Sequence, residues 1–156
     1  MADDQPVRRV LTGFPDAAIH FLRALELNRN RIASNHGLTA VELRSLFRIG
    51  EAGSLMPKEL AEDLSLTNGA ITGISTRLVA AGFLHRTAHP NDRRSVHLEL
   101  TPAGHEVVTG IHTDFTAMVD VATGSLTRAE VDLAAESLRA VTAAIHKRLA
   151  ATERTE

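Results

Sequence analysis

The sequence contains no cysteine, no tryptophan and no tyrosine. Without cysteine there is no disulfide, no thiolate nucleophile and no cysteine-based redox sensing. Aromatic residues make up 3% of the chain, all of them phenylalanine, so alanine, leucine, valine and isoleucine carry most of the 44% apolar content. No apolar run approaches the roughly 20 residues a membrane-spanning helix needs. The opening MADDQPVRRV lacks the apolar segment of a signal peptide. The expectation is a cytoplasmic chain with no membrane partner. An excess of one charge sign is also missing, with 17 Lys and Arg against 19 Asp and Glu and a net charge of −2 at pH 7. That balance neither favours nor excludes nucleic acid, because phosphate contact needs a local basic patch rather than a basic chain. What remains is an ordinary globular composition over 156 residues, one domain with room for two functional parts.

Apolar spacing divides the chain into six helices and a hairpin. Leu11, Phe14, Ala18, Phe21, Leu25 and Ile32 mark one stripe of a long first helix. Pro15 suits its first turn, His36-Gly37 its end, and Asn28 falls on the stripe, where a buried amide can fix register. Thr39-Ala40-Val41-Glu42 is a capping-box pattern that opens a second helix, with Gly50 and Gly53 as its stop. Ser54-Leu55-Met56 has the length of a very short strand. Pro57 opens a third helix to Leu64, Ser65-Leu66 makes a tight connection, and Thr67 caps a fourth helix. Phe83 to Ala88 reads as a strand and His89-Pro90-Asn91-Asp92 as a turn. Val96, Leu98 and Leu100 alternate with His97 and Glu99 as a half-buried strand. Thr101-Pro102 starts a fifth helix with Val108, Ile111, Phe115, Met118 and Ala122 on one side. Thr127 to Glu130 caps a sixth carrying Val131, Ala134, Leu138, Val141, Ile145 and Leu149. The expected class is mainly α with a small β-hairpin. A winged helix-turn-helix lobe occupies 37–101, and 1–36 with 102–156 form a helical dimerisation region. A three-helix packing within one chain is the other use of the same stripes.

The stretch from Thr67 to Thr101 carries the chemistry. A DNA major groove admits one α-helix, whose N-terminal residues meet the base edges. The helix capped by Thr67 has Ile71, Ile74, Leu78 and Ala81 on one side and Asn68, Gly69, Thr72, Gly73 and Thr76 on the other. Small residues allow close approach, and a helix N-terminus favours phosphate. Asn68 can bridge adenine edges, Thr72 and Thr76 can touch thymine methyls or phosphates, and Arg77, to one side, can reach phosphate. At the hairpin tip, Arg93 and Arg94 suit a narrow minor groove. Asp92 lies two residues from Arg94, on the same face of an extended strand, and can hold its guanidinium. Arg86 on the preceding strand completes the set. A solvated helix face and a merely soluble turn are the bland alternatives to each piece. The joint order of helix, turn, capped helix, strand, basic turn and strand is what favours DNA.

On these residues the chain resembles the MarR (multiple antibiotic resistance regulator) family. The resemblance rests on Leu60, Ala61 and Leu64, on TNGAITGISTRLVAAGFLHR from Thr67, and on the wing residues Asp92, Arg93 and Arg94 followed by Leu100, Thr101 and Gly104. Ser65, Asn68 and Gly73 depart from the family's frequent glycine, arginine and larger side chain. The resemblance implies a ligand-responsive transcriptional regulator, expected to repress, that binds double-stranded DNA as a homodimer at a pseudo-palindromic operator. It further implies a small aromatic or phenolic acid effector held between the dimer helices and the DNA-reading lobe, with His20, Phe21, Phe47, His112 and Phe115 as candidate lining. No cofactor is expected. No catalysis is expected either, because nothing fixes Ser75 or Ser95 together with His112 and Asp114, and there is no glycine-rich phosphate loop. Three alternatives stay open within this frame: a winged helix used for protein contacts, a metal sensor built on His36, His105, Glu106 and His112, and histidine protonation that tunes DNA affinity.

Overall fold

The computed structural model describes residues 11–89 and 92–152, apart from the side chains of 89 and 92–95. The elements run α1 (Phe14–Asn35), α2 (Ala40–Ala52), β1 (Ser54–Leu55), α3 (Pro57–Leu64), α4 (Asn68–Ala80), β2 (Leu84–His89), β3 (Asp92–Leu100), α5 (Pro102–Ala122) and α6 (Arg128–Thr152). The chain forms two compact units, Met1–Ile111 and His112–Glu156, with the boundary inside α5. Among the described residues no helix is long and apolar enough to cross a membrane.

Local chemistry sets the helix ends. Thr39 Oγ1 accepts from the Glu42 amide at 3.2 Å, while the Glu42 carboxylate accepts from the Thr39 amide at 2.8 Å, which closes the capping box of α2. Gly50 does not stop this helix. α2 runs through it and ends at Gly53, whose φ of 78° suits glycine. A Cβ at Gly50 would lie 3.1 Å from Leu100 Cδ1, so this glycine makes room for β3. α3 ends at Ser65, in the left-handed region at φ 55°, with the Leu66 amide donating to Ala61 O at 2.9 Å. That conformation costs a non-glycine residue roughly 1 kcal/mol. Thr67 caps α4 by accepting from the Ala70 amide at 3.2 Å.

The sheet has the order β1-β3-β2 and is antiparallel throughout. Ser54 and Leu55 pair with Glu99 and Leu98, and Leu84 to Ala88 pair with Leu100 back to Val96. β2 begins at Leu84 rather than Phe83. The Phe83 amide donates to Leu78 O at 3.0 Å, and its carbonyl accepts from the Thr101 amide at 3.0 Å, so Phe83 closes the end of α4. The register shifts between Ala88 and His89, and His89 pairs with Asp92. The turn expected at Pro90-Asn91 lies outside the described residues. Arg93 and Arg94 belong to the start of β3 rather than to the turn itself.

The first unit buries one apolar core. Leu43, Leu46 and Ile49 of α2 meet Leu60, Ala61 and Leu64 of α3, Ile71, Ile74 and Leu78 of α4, and Leu84, Leu98 and Leu100 of the sheet. Val108 and Ile111 of α5, with Ala33 and Leu38, complete it. Each large side chain buried in this way stabilises the fold by roughly 1.5–3 kcal/mol. α5 docks through Thr101, whose hydroxyl donates to Gly82 O at 2.6 Å and accepts from the Gly104 amide at 3.1 Å. A Cβ at Gly104 would come within 2.2 Å of Phe83 O, so only glycine passes there.

The second unit holds the end of α5 and all of α6. Thr127 and Glu130 form a capping box at the start of α6, with the Thr127 amide and hydroxyl each donating to the Glu130 carboxylate at 2.7 Å. Those two bonds, the backbone one first, hold the Glu130 carboxyl below its usual range. No residue of α6 is buried, and Leu133, Leu138, Val141, Ile145 and Leu149 stand exposed in the single chain.

Candidate nucleic-acid interface

The exposed side of α4 follows from its helical period. Ile71, Ile74 and Leu78 lock one face into the core, which turns Asn68, Gly69, Thr72, Gly73 and Thr76 outward. The Thr72 hydroxyl donates to Asn68 O at 2.9 Å, which ties this exposed side chain to the helix backbone. Nothing lies within 4 Å of a Cβ built on Gly73, and only Thr67 Oγ1, at 4.0 Å, approaches one on Gly69. The fold itself therefore does not require either glycine.

The two arginines assigned to this surface from the sequence are both tied into the lobe. Arg77 Nε lies 2.9 Å from Glu42 Oε1, in an ion pair between the last turn of α4 and the first turn of α2. The Arg77 side chain stays 64% exposed, whereas that of Glu42 is only 8% exposed. Arg86 Nη2 donates to Thr76 Oγ1 at 3.0 Å and to Ser75 Oγ at 3.3 Å, bridging β2 to α4. Strand parity explains this reach. Arg86 pairs with Leu98 and sits two residues from Leu84, so it leaves the sheet on the side of the core helices. His85, Thr87, His97 and Glu99 take the other face, where Glu99 accepts from Thr87 at 2.8 Å and lies 3.2 Å from His85 Nε2. On that same face Ser54 Oγ lies 2.9 Å from His97 Nδ1.

Of the residues expected to read DNA, Thr67, Asn68, Gly69, Thr72, Thr76, Arg77 and Arg86 thus share α4 and the adjoining strand. Asp92, Arg93 and Arg94 begin the neighbouring strand β3, with side chains outside the described residues. Glu42 and Ser75 are the two polar partners that sequence reasoning did not place here. Glu42 was visible only as a cap, although its second oxygen serves Arg77. Ser75 is buried, donating to Thr72 O at 3.1 Å and accepting from Arg86.

The candidate effector residues divide between the units. His20 and Phe21 are exposed on α1, with His20 Nε2 3.6 Å from the Asp16 carboxylate, and Phe47 is half-buried against the core. His112 and Phe115 belong to the second unit and are exposed. Among the described residues no group of three or more histidines and carboxylates could hold a metal ion, so His36, His105, Glu106 and His112 are not brought together.

A capped helix with a polar outer face, held against a three-stranded sheet by its own buried stripe, defines a winged helix-turn-helix protein. Residues 38–96 match the model of the MarR family, so the similarity to that family lies in this lobe. Multiple antibiotic resistance protein MarR of Salmonella typhimurium is 34% identical over 88 residues, which cover 54% of this chain and 61% of that protein. A cysteine-to-serine mutant of MarR from E. coli superposes with a TM-score of 0.69 at 27% identity, over 86% of this chain and 99% of that one. The crystal structure of NadR in complex with 4-hydroxyphenylacetate gives a TM-score of 0.64 at 26% identity, over 88% and 97%. The chain spans between 46% and 61% of the length of the first curated relatives it matches.

Proposed function

We propose that this chain is a sequence-specific DNA-binding transcriptional regulator that acts as a homodimer and represses by occupying a pseudo-palindromic operator. The observation that carries the reading is the pairing of α4 with the hairpin. A rigidly backed helix presents Asn68, Gly69, Thr72 and Thr76 beside a strand that opens with Asp92-Arg93-Arg94. In this reading α4 enters the major groove and the hairpin follows the adjacent minor groove. The homodimer is supported by the exposed apolar faces of α1 and α6, which a second copy would cover. The sequence division into a lobe at 37–101 and dimerisation segments at 1–36 and 102–156 belongs to the same proposal. NadR's complex with 4-hydroxyphenylacetate supports a small aromatic or phenolic acid as effector, with His20, Phe21, Phe47, His112 and Phe115 as its candidate contacts.

Gel-shift titration against the DNA flanking the chain's own gene, at several salt concentrations and with and without salicylate-like acids, tests this. Replacing Arg93 and Arg94 together with Ala should weaken binding to every duplex and reduce the salt slope by about 2. Equal affinity and equal slope for parent and double variant would remove the wing from the mechanism. A parent chain that binds no duplex would favour a winged helix used for protein contacts.

A further inference from the structure

We infer that Glu42 is a positioning residue for DNA recognition, acting through Arg77. The inference rests on the DNA-binding reading and adds to it a residue that would touch no DNA. Glu42 is a nearly buried carboxylate with both oxygens engaged. Oε2 accepts from the Thr39 amide and hydroxyl, each at 2.8 Å, and Oε1 lies 2.9 Å from Arg77 Nε. The capping box fixes where this carboxylate stands, because the Thr39 hydroxyl also accepts from the Glu42 amide. α2 therefore offers a rigid negative anchor to the last turn of the recognition helix.

Arg77 is built to use it. A guanidinium presents donors in a planar fork, so one edge can pair with a carboxylate while the rest stays at the surface. The Arg77 side chain remains mostly exposed while so paired. An unrestrained arginine loses rotamer freedom when it settles on a phosphate, and one already held by Glu42 has lost much of it on folding. The same ion pair ties the C-terminal half of α4 to α2, so it also fixes the pitch at which Asn68 and Thr72 approach a groove.

A double-mutant cycle tests the inference in the full-length chain. Glu42→Gln retains an acceptor for the Thr39 cap and removes the charge that faces Arg77. It should melt like the parent yet bind duplex DNA about 5-fold more weakly. In an Arg77→Gln background the same change should cost nothing further. The ¹⁵N order parameter of Arg77 Nε should fall in Glu42→Gln without DNA present, a readout that the cap alone would not move. Tighter binding by Glu42→Gln would overturn the inference, because Glu42 would then restrain Arg77 from DNA. An equal loss in both backgrounds would overturn it as well, because Glu42 would then act only through the fold. Both results differ from a parent chain that binds no duplex, which would remove the DNA reading itself.

Discussion

The winged lobe and the helical ends of this chain solve the burial problem in opposite ways. In the lobe, short elements close a common core, and Leu43, Leu46, Ile49, Leu60, Ile71, Leu78, Leu84 and Leu98 are all fully buried within it. The long helices α1 and α6 bury almost nothing. α1 contributes only Ala33, and α6 contributes no residue at all. The difference shows that amphipathicity measures the demand for a partner and does not say where that partner comes from. The lobe meets the demand within the chain. For α1 and α6, on the homodimer reading, a second copy meets it.

The contrast can be broken at its tightest point first. Gly104→Ala places a methyl group against Phe83 O, a backbone atom that cannot swing aside. It should lower stability by about 3 kcal/mol, read as a fall in the denaturation midpoint of the full chain. A melt like the parent's would mean that the junction between β3 and α5 is far softer than its geometry. Next, Leu138→Glu with Ile145→Glu changes two side chains that already face solvent in the single chain. The lobe should keep its fold, sedimentation should report a monomer, and affinity for paired half-sites should fall about 100-fold. A dimer that survives both glutamates would assign the α6 stripe elsewhere. The smallest effect belongs to Arg86→Met, which removes the bonds to Ser75 and Thr76. It should cost about 1 kcal/mol of stability. The salt slope of DNA binding separates its two possible roles. An unchanged slope marks Arg86 as a brace, and a slope smaller by about 0.9 marks a direct phosphate contact.

Much of this architecture was legible because its signals are local. Thr39 with Glu42, Pro57, Thr67, and Thr127 with Glu130 each announce a helix start within four residues, and all four helices begin where expected. Gly50 misled because glycine carries two meanings. Termination is local, whereas the close pass of Leu100 depends on a strand distant in sequence. The Glu42–Arg77 pair was hidden for the same reason, since nothing near either residue names the other. The reach of Arg86 toward α4 was readable in principle. It shares parity with the core residue Leu84, and its charge drew attention to phosphate instead. Exposure at Val96 follows from its place toward the outer end of the hairpin, where period-2 alternation continues after the core has ended.

The open space above Gly69 and Gly73 has an evolutionary consequence. Helix interiors normally disfavour glycine by roughly 0.5–1 kcal/mol relative to alanine. Replacing Gly73 therefore recovers helix stability, and a new Cβ there meets no neighbour within 4 Å, while one at Gly69, in the first turn, meets only Thr67 Oγ1 at 4.0 Å. Such positions act as blank sites in a reading surface. On the DNA-binding reading, a mutation there can add a base contact, and so shift which operator is preferred, without first weakening the scaffold. Most routes to a new specificity must cross a loss of stability before they gain a function. On the DNA-binding reading, Gly73 offers one along which both can improve in the same step.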